Sequence, residues 1–235
     1  LSHDVSTNSK GDSNLMIIKK YIKLIKNKIK TNRALVILCQ VPPGFTRKIK
    51  SNKFDIYYQV ETLIFGNAIS RAQKPERIIV GKKNISNKLN IFYEKYLNLF
   101  NAPKLYMNYE SAELSKIAIN LMLISSISTS NTLSQISKKI NADWDDISKA
   151  LKLDKRIGKF SYLRPSLGLS GGNLERDLNN IIKISNNLSV DGSIFKNFLK
   201  NSNNQKLWIY NQLKKIEKKF KINSITFLGI TYKEN

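Results

Sequence analysis

Cysteine and histidine are almost missing from this sequence, and their scarcity excludes several kinds of chemistry. Cys39 is the single cysteine of the chain and His3 is the single histidine. One cysteine cannot form a disulfide within the chain, and a zinc site built from several cysteines is excluded as well. A lone histidine near the start of the chain does not favour catalysis by histidine. We therefore expect no metal site, and a reducing compartment such as the cytoplasm.

Long hydrophobic runs are also missing. No segment approaches the roughly 18 apolar residues of a membrane-spanning helix, and the start of the chain does not resemble a signal peptide. Residues 15–30 place isoleucines on one helical face and lysines on the other. This pattern fits a helix packed on a core and, less well, a basic helix that lies on a membrane surface. We expect no membrane partner.

Acidic residues are scarce relative to basic ones. The chain has 17 Asp and Glu against 40 Lys and Arg, which gives a net charge of +23. Such a charge suggests nucleic-acid binding as one alternative. The lysines, however, are spread along the chain among Ile and Asn, without a concentrated arginine patch or aromatic platforms for bases. We favour a compositional bias of the source genome and expect no nucleic-acid partner.

The first part of the chain alternates between predicted helices and strands. A continuous apolar run over 34–41 ends in a Pro-Pro-Gly turn and predicts a strand buried on both faces, as in parallel sheets. Three further strands are predicted over 55–65, 76–81 and 104–108, and helices over 15–30 and 84–100. This alternation predicts part of an α/β sheet.

The pattern changes after residue 108, where the predicted elements are helices over 111–140, 141–153, 174–188 and 194–220. The first of them is apolar on most sides, so we expect it to be buried. Asp143 can cap the second helix, and Asp145 and Asp146 suit its positive end. Residues 224–233 then predict a strand that runs into glycine, which is typical of the opening of a new α/β unit.

Seven short strings occur in one order along nearly the whole chain: DVSTNSKGDSNL, CQVPPGFTRKI, YYQVETLIFGNAI, KPERIIVG, SAELSKIAIN, LDKRIGKF with RPSLGLSGGNLERD, and FLGITYK. Each string alone is a weak signal. Together, in this order and at this spacing, they resemble the UDP-glucose/GDP-mannose dehydrogenase family, with its Pro-Pro-Gly turn, its AE-x-x-K-x-x-x-N helix start and its glycine-rich loop.

The resemblance implies two Rossmann-like domains joined by a helical domain. Residues 1–108 would be the C-terminal part of an NAD-binding domain. Residues 109–222 would be the central helical domain for dimerisation and catalysis, and 223–235 the first strand of a truncated nucleotide-sugar-binding domain. We accordingly expect a fragment that lacks the first βα unit, which explains why no G-x-G-x-x-G motif occurs here.

The implied activity is a double oxidation with NAD as cofactor, in the biosynthesis of nucleotide sugars and polysaccharides. The C6 alcohol of a nucleotide sugar becomes an aldehyde and then an acid. In the family a cysteine holds the aldehyde as a thiohemiacetal, which makes the second hydride transfer possible. The implied partners are the nucleotide-sugar substrate and a second copy of the chain, bound through the central helical domain.

The resemblance also assigns catalytic residues. Glu113, Lys116 and Asn120 share one helical face, and a lysine in such an apolar helix is costly unless it serves something. Lys116 would stabilise developing negative charge on the sugar oxygen or an ordered water, and Asn120 would hold that water or the substrate. Glu61 would be a general base, and Asp177 would support the lysine. A solvent-reaching Lys116 and a solvated loop Glu61 are the alternatives.

Other residues would bind the substrate and the cofactor. The glycines of the loop before residue 173 would let the backbone approach a sugar closely. An arginine would reach a neighbour's substrate across the dimer, and a lysine would meet the diphosphate, although both could be plain surface cations. The predicted substrate-binding residues are Arg156, Gly168, Gly171, Gly172 and Lys233, and the predicted cofactor-binding residues are Thr7, Gln40, Val41 and Pro42.

Asn173 is the main departure from the family pattern, because it stands where the family has its nucleophilic cysteine. An amide offers no thiolate and cannot form the covalent intermediate. Gln40 also replaces a threonine, and Phe65 replaces a second acidic residue. Three explanations stay open: oxidation that stops at the carbonyl stage, oxidation of a hydrated aldehyde without a covalent step, or binding of nucleotide sugar without catalysis.

Overall fold

A computed structural model describes residues 1–6, 13–61, 63, 66–170, 172–220, 222, 224–226 and 228 of the chain. The chain divides into two compact units, Leu1–Ala118 and Ile119–Asn235. The division falls inside a long helix. The boundary predicted at residue 108 coincides with the point at which the last strand ends and that helix begins, and the domain assignment itself stays a prediction.

The first unit contains the predicted alternation of helices and strands. Its elements in chain order are α1 (Met16–Lys28), β1 (Arg33–Ile37), a 3-10 turn (Thr46–Lys48), β2 (Phe54–Gln59), α2 (Ala68–Gln73), β3 (Ile78–Lys82), α3 (Ile91–Leu97) and β4 (Lys104–Asn108). All four predicted strands are present, although β1 and β2 end earlier than predicted, and residues 62, 64 and 65 of the second prediction lie outside the described residues. The helix predicted over 84–100 is shorter, because the side chain of Asn90 caps it by accepting a hydrogen bond from Phe92 N.

The four strands form one sheet in the order β1-β2-β3-β4. β1 pairs with β2 in parallel, and β3 pairs with β4 in parallel. β2 and β3 run antiparallel, so the sheet is mixed, whereas the apolar run at β1 suggested only parallel pairing. The carboxyl ends of β1 and β2 therefore lie at one edge of the sheet, and those of β3 and β4 lie at the other.

Both faces of the sheet are covered by apolar side chains. On one face, Ile18 and Ile22 of α1 pack with Leu35, Ile37 and Tyr58. A second cluster contains Tyr57, Val80 and, from α3, Tyr93 and Leu97. This arrangement of helices on both sides of a sheet confirms the α/β class for the first part of the chain.

The second unit is helical in the residues that the structure describes. α4 (Tyr109–Lys139) begins in the first unit and continues into the second, followed by α5 (Trp144–Leu153), α6 (Gly172–Asn187), α7 (Ser193–Lys206) and α8 (Trp208–Lys219). Asp143 caps α5 as predicted, since its carboxylate accepts a hydrogen bond of 2.7 Å from Asp145 N. The helix predicted over 194–220 is two helices. Of the strand predicted over 224–233, residues 227 and 229–233 lie outside the described residues, and the described residues 224–226 and 228 are not in a strand.

The expected burial of α4 is wrong for much of its length. In the second unit its buried face carries small polar residues, among them Ser128, Asn131 and Ser134. Several large apolar side chains of the same helix are instead exposed, most of all Met122 at 71%. The apolar composition therefore indicates a surface that no described part of this chain covers.

Candidate active site

The predicted cofactor loop and the predicted general base follow two neighbouring parallel strands. Gln40, Val41 and Pro42 come after β1, and Glu61 comes two residues after β2. Because the two strands are parallel, these segments start from the same edge of the sheet, where open α/β sheets bind nucleotides. Val41 is buried in the same apolar cluster as the strand residues Leu35 and Ile37, while Gln40 and Pro42 are half-buried.

Lys116 extends from the second turn of α4 to this edge. Its side chain is half-buried, and Nζ donates a hydrogen bond of 2.5 Å to the main-chain carbonyl of Glu61. Two of the predicted catalytic residues are thus in direct contact within the first unit. The contact gives the lysine charge a fixed position at the end of β2, unlike the solvent-reaching lysine of the alternative reading.

Glu113 lies one turn before Lys116 and binds the loop after β1. Its carboxylate is completely buried. Gly44 N donates to Oε2 at 2.5 Å and Thr46 N donates to Oε1 at 2.8 Å. Burial raises the pKa of Glu113, and the hydrogen bonds from the loop offset part of this effect. Sequence reasoning placed Glu113 on the catalytic face without giving it a role, although a carboxylate in an apolar helix signals buried partners.

A second acidic residue of α4 holds the same loop from outside. Arg47 Nε and Nη2 donate to the two carboxylate oxygens of Glu110 at 2.6 and 2.7 Å. Arg47 Nη1 also donates to the main-chain carbonyl of Lys83 at 3.0 Å. The hydrogen bonds from Arg47 lower the pKa of Glu110 to about 2. The segment after β1 is therefore attached to α4 at two points, one buried and one exposed.

In the second unit, Asn120 and Asp177 form a buried pair. Asn120 Nδ2 donates to Asp177 Oδ2 at 2.5 Å, and the aspartate is completely buried. Arg176 Nε lies 3.5 Å from the other carboxylate oxygen and is itself 4% exposed. Two residues that were predicted for separate roles, one on α4 and one on α6, are thus in contact, and the arginine supplies a positive charge beside the buried aspartate.

Asn173 occupies the first turn of α6 and is exposed. Asp177 follows it one helical turn later. A Cβ added to Gly172 would meet no atom of the described residues within 4 Å. The amino end of a helix carries partial positive charge. Gly171, between this turn and the preceding loop, lies outside the described residues.

Gly168 has a different reason to be glycine from the one that we expected. Its φ of +93° is in the left-handed region, and an added Cβ would lie 2.6 Å from the carbonyl oxygen of Ser202 in α7. Leu169 N donates to Ser202 Oγ at 2.9 Å. Packing of the loop on α7 therefore accounts for this glycine, and a contact with sugar at Gly168 stays a prediction.

The remaining predicted residues are exposed or outside the described part of the chain. Arg156 is 88% exposed, and its guanidinium binds Asp154 with an Nη2–Oδ2 distance of 2.6 Å. Thr7, Phe65 and Lys233 lie outside the described residues.

Comparison with known proteins agrees with this organisation. Residues 110–205 match the model of the central domain of the UDP-glucose/GDP-mannose dehydrogenase family. UDP-glucose 6-dehydrogenase TuaD of Bacillus subtilis is 26% identical over 234 residues, covering 96% of this chain and 50% of that protein. UDP-glucose 6-dehydrogenase of Campylobacter jejuni is 30% identical over 195 residues, covering 82% of this chain and 49% of that protein.

Solved structures of similar fold are also nucleotide-sugar dehydrogenases. The UDP-glucose dehydrogenase of the archaeon Pyrobaculum islandicum aligns with a TM-score of 0.72 and 25% identity, covering 86% of this chain and 49% of that one. The UDP-D-ManNAc dehydrogenase of Pyrococcus horikoshii aligns with a TM-score of 0.81 over 94% of this chain and 53% of that one, at 15% identity, which shows likeness of fold alone.

The mixed sheet, the loops at its edge and the helical unit that follows define the fold of a Rossmann-type nucleotide-sugar dehydrogenase. Residues 110–205 carry the central domain of the UDP-glucose/GDP-mannose dehydrogenase family, and the chain is similar to members of that family over most of its length. It spans about half the length of the curated relatives that it matches. Among its described residues, no helix has both the length and the apolar character needed to cross a membrane.

Proposed function

We propose that this protein is an NAD-dependent nucleotide-sugar dehydrogenase, similar to UDP-glucose 6-dehydrogenase, that oxidises the C6 alcohol of the sugar. The product would enter nucleotide-sugar and polysaccharide biosynthesis in the cytoplasm. The observation that carries the proposal is the contact between Lys116 Nζ and the Glu61 carbonyl at the sheet edge. It supports a position for the lysine charge beside the main chain of the predicted general base, in a chain whose relatives include UDP-glucose 6-dehydrogenases.

The residues at this edge fit NAD. The carboxyl ends of β1 and β2 are adjacent, and the loop after β1 leaves the sheet at that edge, as nucleotide sites of α/β proteins require. Gln40, Val41 and Pro42 would hold the cofactor, together with Thr7. When bound, NAD supplies the hydride acceptor that oxidation of an alcohol needs.

Lys116 and Glu61 would have different roles in the oxidation of the alcohol. The ammonium of Lys116 would stabilise negative charge as it develops on the sugar oxygen, because a fixed cation in a partly desolvated position acts strongly on nearby charge. The carboxylate of Glu61 would accept the hydroxyl proton. The hydrogen bond from Lys116 to the Glu61 main chain supports a common position for the two groups.

Asn120 and Asp177 would orient a water or a sugar hydroxyl. Their short hydrogen bond fixes the side-chain amide of Asn120 in one orientation. Asp177 is completely buried and has Arg176 beside it, so its charge is held in place. Such a pair positions a reacting group and takes no part in covalent chemistry.

A second candidate follows from Asn173. The amide at the start of α6 cannot act as the nucleophile that the family resemblance implies for this position. The second candidate is therefore a relative that performs a single oxidation or binds nucleotide sugar without catalysis. Replacement of Asn173 by cysteine distinguishes these readings, because a gain of the second oxidation supports the single-oxidation reading.

The partners would be a nucleotide sugar and a second copy of the chain. The exposed apolar residues of α4, including Met122, Leu133 and Ile136, would form the contact between copies. Arg156 would reach the neighbour's substrate, since its exposed side chain extends from the loop after α5. Lys233 would meet the diphosphate, and Gly168, Gly171 and Gly172 would line the sugar.

The direct test is formation of NADH by the full-length protein with NAD and UDP-glucose, followed by the near-ultraviolet absorbance of NADH. One NADH per sugar would indicate a single oxidation, and two would indicate a double oxidation. Binding of UDP-glucose by calorimetry without NADH formation would support the binding-only candidate. Failure of the protein to bind either NAD or any UDP-sugar or GDP-sugar would overturn the proposal.

A further inference from the structure

The segment after β1 lacks a regular structure to hold it where the proposed site needs it. Between the end of β1 at Ile37 and the short turn at Thr46–Lys48 the chain forms neither helix nor strand. Gly44 adopts a φ of +84° in this segment, a left-handed conformation that favours glycine. The position of the loop therefore depends on contacts with other elements.

The start of α4 provides a rigid base for such contacts. Tyr109 is buried, and its hydroxyl donates to the carbonyl of Ile56 in β2 at 2.6 Å. Ala112 is completely buried against β3, where a Cβ added to Gly81 would lie only 2.9 Å from the Ala112 Cβ. The first turn of α4 is thus fixed on the sheet, and Glu113 follows directly from it.

Glu113 connects this base to the loop. Its two carboxylate oxygens each accept one backbone N–H, from Gly44 and from Thr46. Lys116, one turn further along the same helix, is bound to Glu61 in the segment after β2. The segments that follow β1 and β2 are therefore both attached to one short stretch of α4, through Glu113 and Lys116 respectively.

We infer that Glu113 is a positioning residue of the proposed dehydrogenase: it holds the loop that carries Gln40, Val41 and Pro42 at a fixed position relative to Lys116. The inference rests on the proposed function. The carboxylate is suited to this task because it accepts two N–H groups at once, without donating any, and hydrogen bonds to an ionised acceptor are stronger than neutral ones. Glutamine has the same size but can accept only one of the two N–H groups, since its NH2 group would face the other donor.

The experiment compares Glu113→Gln with Glu110→Gln, which removes the exposed contact of the same loop to Arg47. Hydrogen–deuterium exchange is measured on peptides that cover residues 38–48, and KM is measured separately for NAD and for UDP-glucose. For Glu113→Gln we expect faster exchange at Gly44 and Thr46. We also expect a KM for NAD that rises about tenfold or more, as the loss of one charge-assisted hydrogen bond implies. The KM for UDP-glucose should change less than about twofold.

For Glu110→Gln we expect both KM values to stay within about twofold of the parent protein, because exposed ion pairs contribute little. If Glu113→Gln does not fold, Glu113→Asp takes its place, since a shorter carboxylate cannot reach both N–H groups. A purely structural role would lower the melting temperature without a selective change in the KM for NAD.

The outcomes separate the two proposals. Faster exchange with an unchanged KM for NAD overturns the positioning role and leaves the proposed function intact. Unchanged exchange in Glu113→Gln overturns the anchoring itself. If the parent protein neither binds NAD nor forms NADH, the proposed function fails and the positioning role fails with it, whatever the exchange data show.

Discussion

At the scale of single residues, three acidic side chains have contrasting surroundings. Glu110 is partly exposed and bound to Arg47, Glu113 is buried and bound to backbone N–H groups, and Asp177 is buried beside Asn120 and Arg176. Burial alone penalises a charged carboxylate. The partners of each residue therefore decide whether its charge stabilises the fold.

Glu110 should make the free energy of unfolding depend slightly on pH in the acidic range. Its pKa in the folded state is about 2, against an ordinary value of 4.5. A lowered pKa contributes stability above about pH 4.5, which is lost as the pH falls through about 2. Because both side chains of the pair are exposed by about two-fifths, we expect roughly 0.5 kcal/mol.

The measurement for Glu110 is thermal unfolding as a function of pH in the parent protein and in Glu110→Gln. The difference in melting temperature between the two should be largest near neutral pH and should shrink towards pH 2. Arg47→Met should reproduce the effect, because it removes the same ion pair. A difference that stays constant over this range would show that Arg47 does not lower the pKa of Glu110.

Asp177→Asn should destabilise the second unit strongly. The substitution leaves the buried Arg176 without its neighbouring carboxylate charge and disturbs the hydrogen bond to Asn120. Removal of one partner of a buried pair typically costs about 3 kcal/mol in the free energy of unfolding. Urea unfolding measures the loss, with Asp146→Asn on the exposed surface of α5 as control. Equal midpoints for the two variants would contradict the account.

At the scale of the elements, local signals in the sequence predicted most helices and strands. The alternation of isoleucine and lysine predicted α1, and short β-branched and aromatic runs predicted all four strands. Asp143 marked the start of α5 as expected. These features depend on residues that are close together in the chain, so the sequence alone was sufficient to find them.

Contacts between distant residues could not be predicted in the same way. The antiparallel pairing of β2 with β3 depends on how the chain between them crosses the sheet. The bonds from Glu113 to Gly44 and Thr46 join residues almost 70 positions apart. The contacts from Lys116 to Glu61 and from Asn120 to Asp177 join residues that only the family resemblance had grouped together, and composition gave no sign of either contact.

Two glycines of the same loop region should respond differently to alanine. In Gly168→Ala the new Cβ would meet the Ser202 carbonyl at 2.6 Å, in a backbone conformation with φ of +93° that alanine disfavours. We expect a loss of about 2–3 kcal/mol in the free energy of unfolding. Gly172→Ala should leave the stability unchanged or raise it by up to about 1 kcal/mol, because the position is open and helical.

Urea unfolding of the two glycine variants checks both expectations, and Gly172→Ala is the internal control for Gly168→Ala. Binding of UDP-glucose adds a second readout. If Gly172 lines the sugar, its alanine variant binds UDP-glucose more weakly while it remains stable. Equal stability of the two variants would contradict the packing role of Gly168.

At the scale of the whole molecule, α4 places its small polar residues inside and leaves large apolar residues outside. An exposed Met122 and an exposed Ile136 on one helix cost free energy unless another surface covers them. A second copy of the chain is the occupant that the proposed function implies. The overall apolar composition of α4 did not reveal that its small polar residues are buried and that several of its large apolar residues are exposed.

Met122→Asp should therefore weaken the association of two copies. A charge in the middle of an apolar contact is costly to desolvate, so we expect the dimer to dissociate at least about tenfold more readily. Analytical ultracentrifugation over a range of concentrations measures the change, with Gln135→Asp as control, because Gln135 is an exposed site roughly 140° around the same helix from Met122. A monomeric parent protein, or a Met122→Asp variant that associates as the parent does, would contradict the proposed contact.

The central claim is that Lys116 serves oxidation of a nucleotide sugar at the edge of the sheet. The most direct measurement is the rate of NADH formation by Lys116→Met with saturating NAD and UDP-glucose, compared with the parent protein and with Lys139→Met on the exposed end of α4. The account predicts a kcat at least about a hundredfold lower for Lys116→Met, with an unchanged melting temperature, and full activity for Lys139→Met. An active parent protein whose kcat is unaffected by Lys116→Met would contradict it.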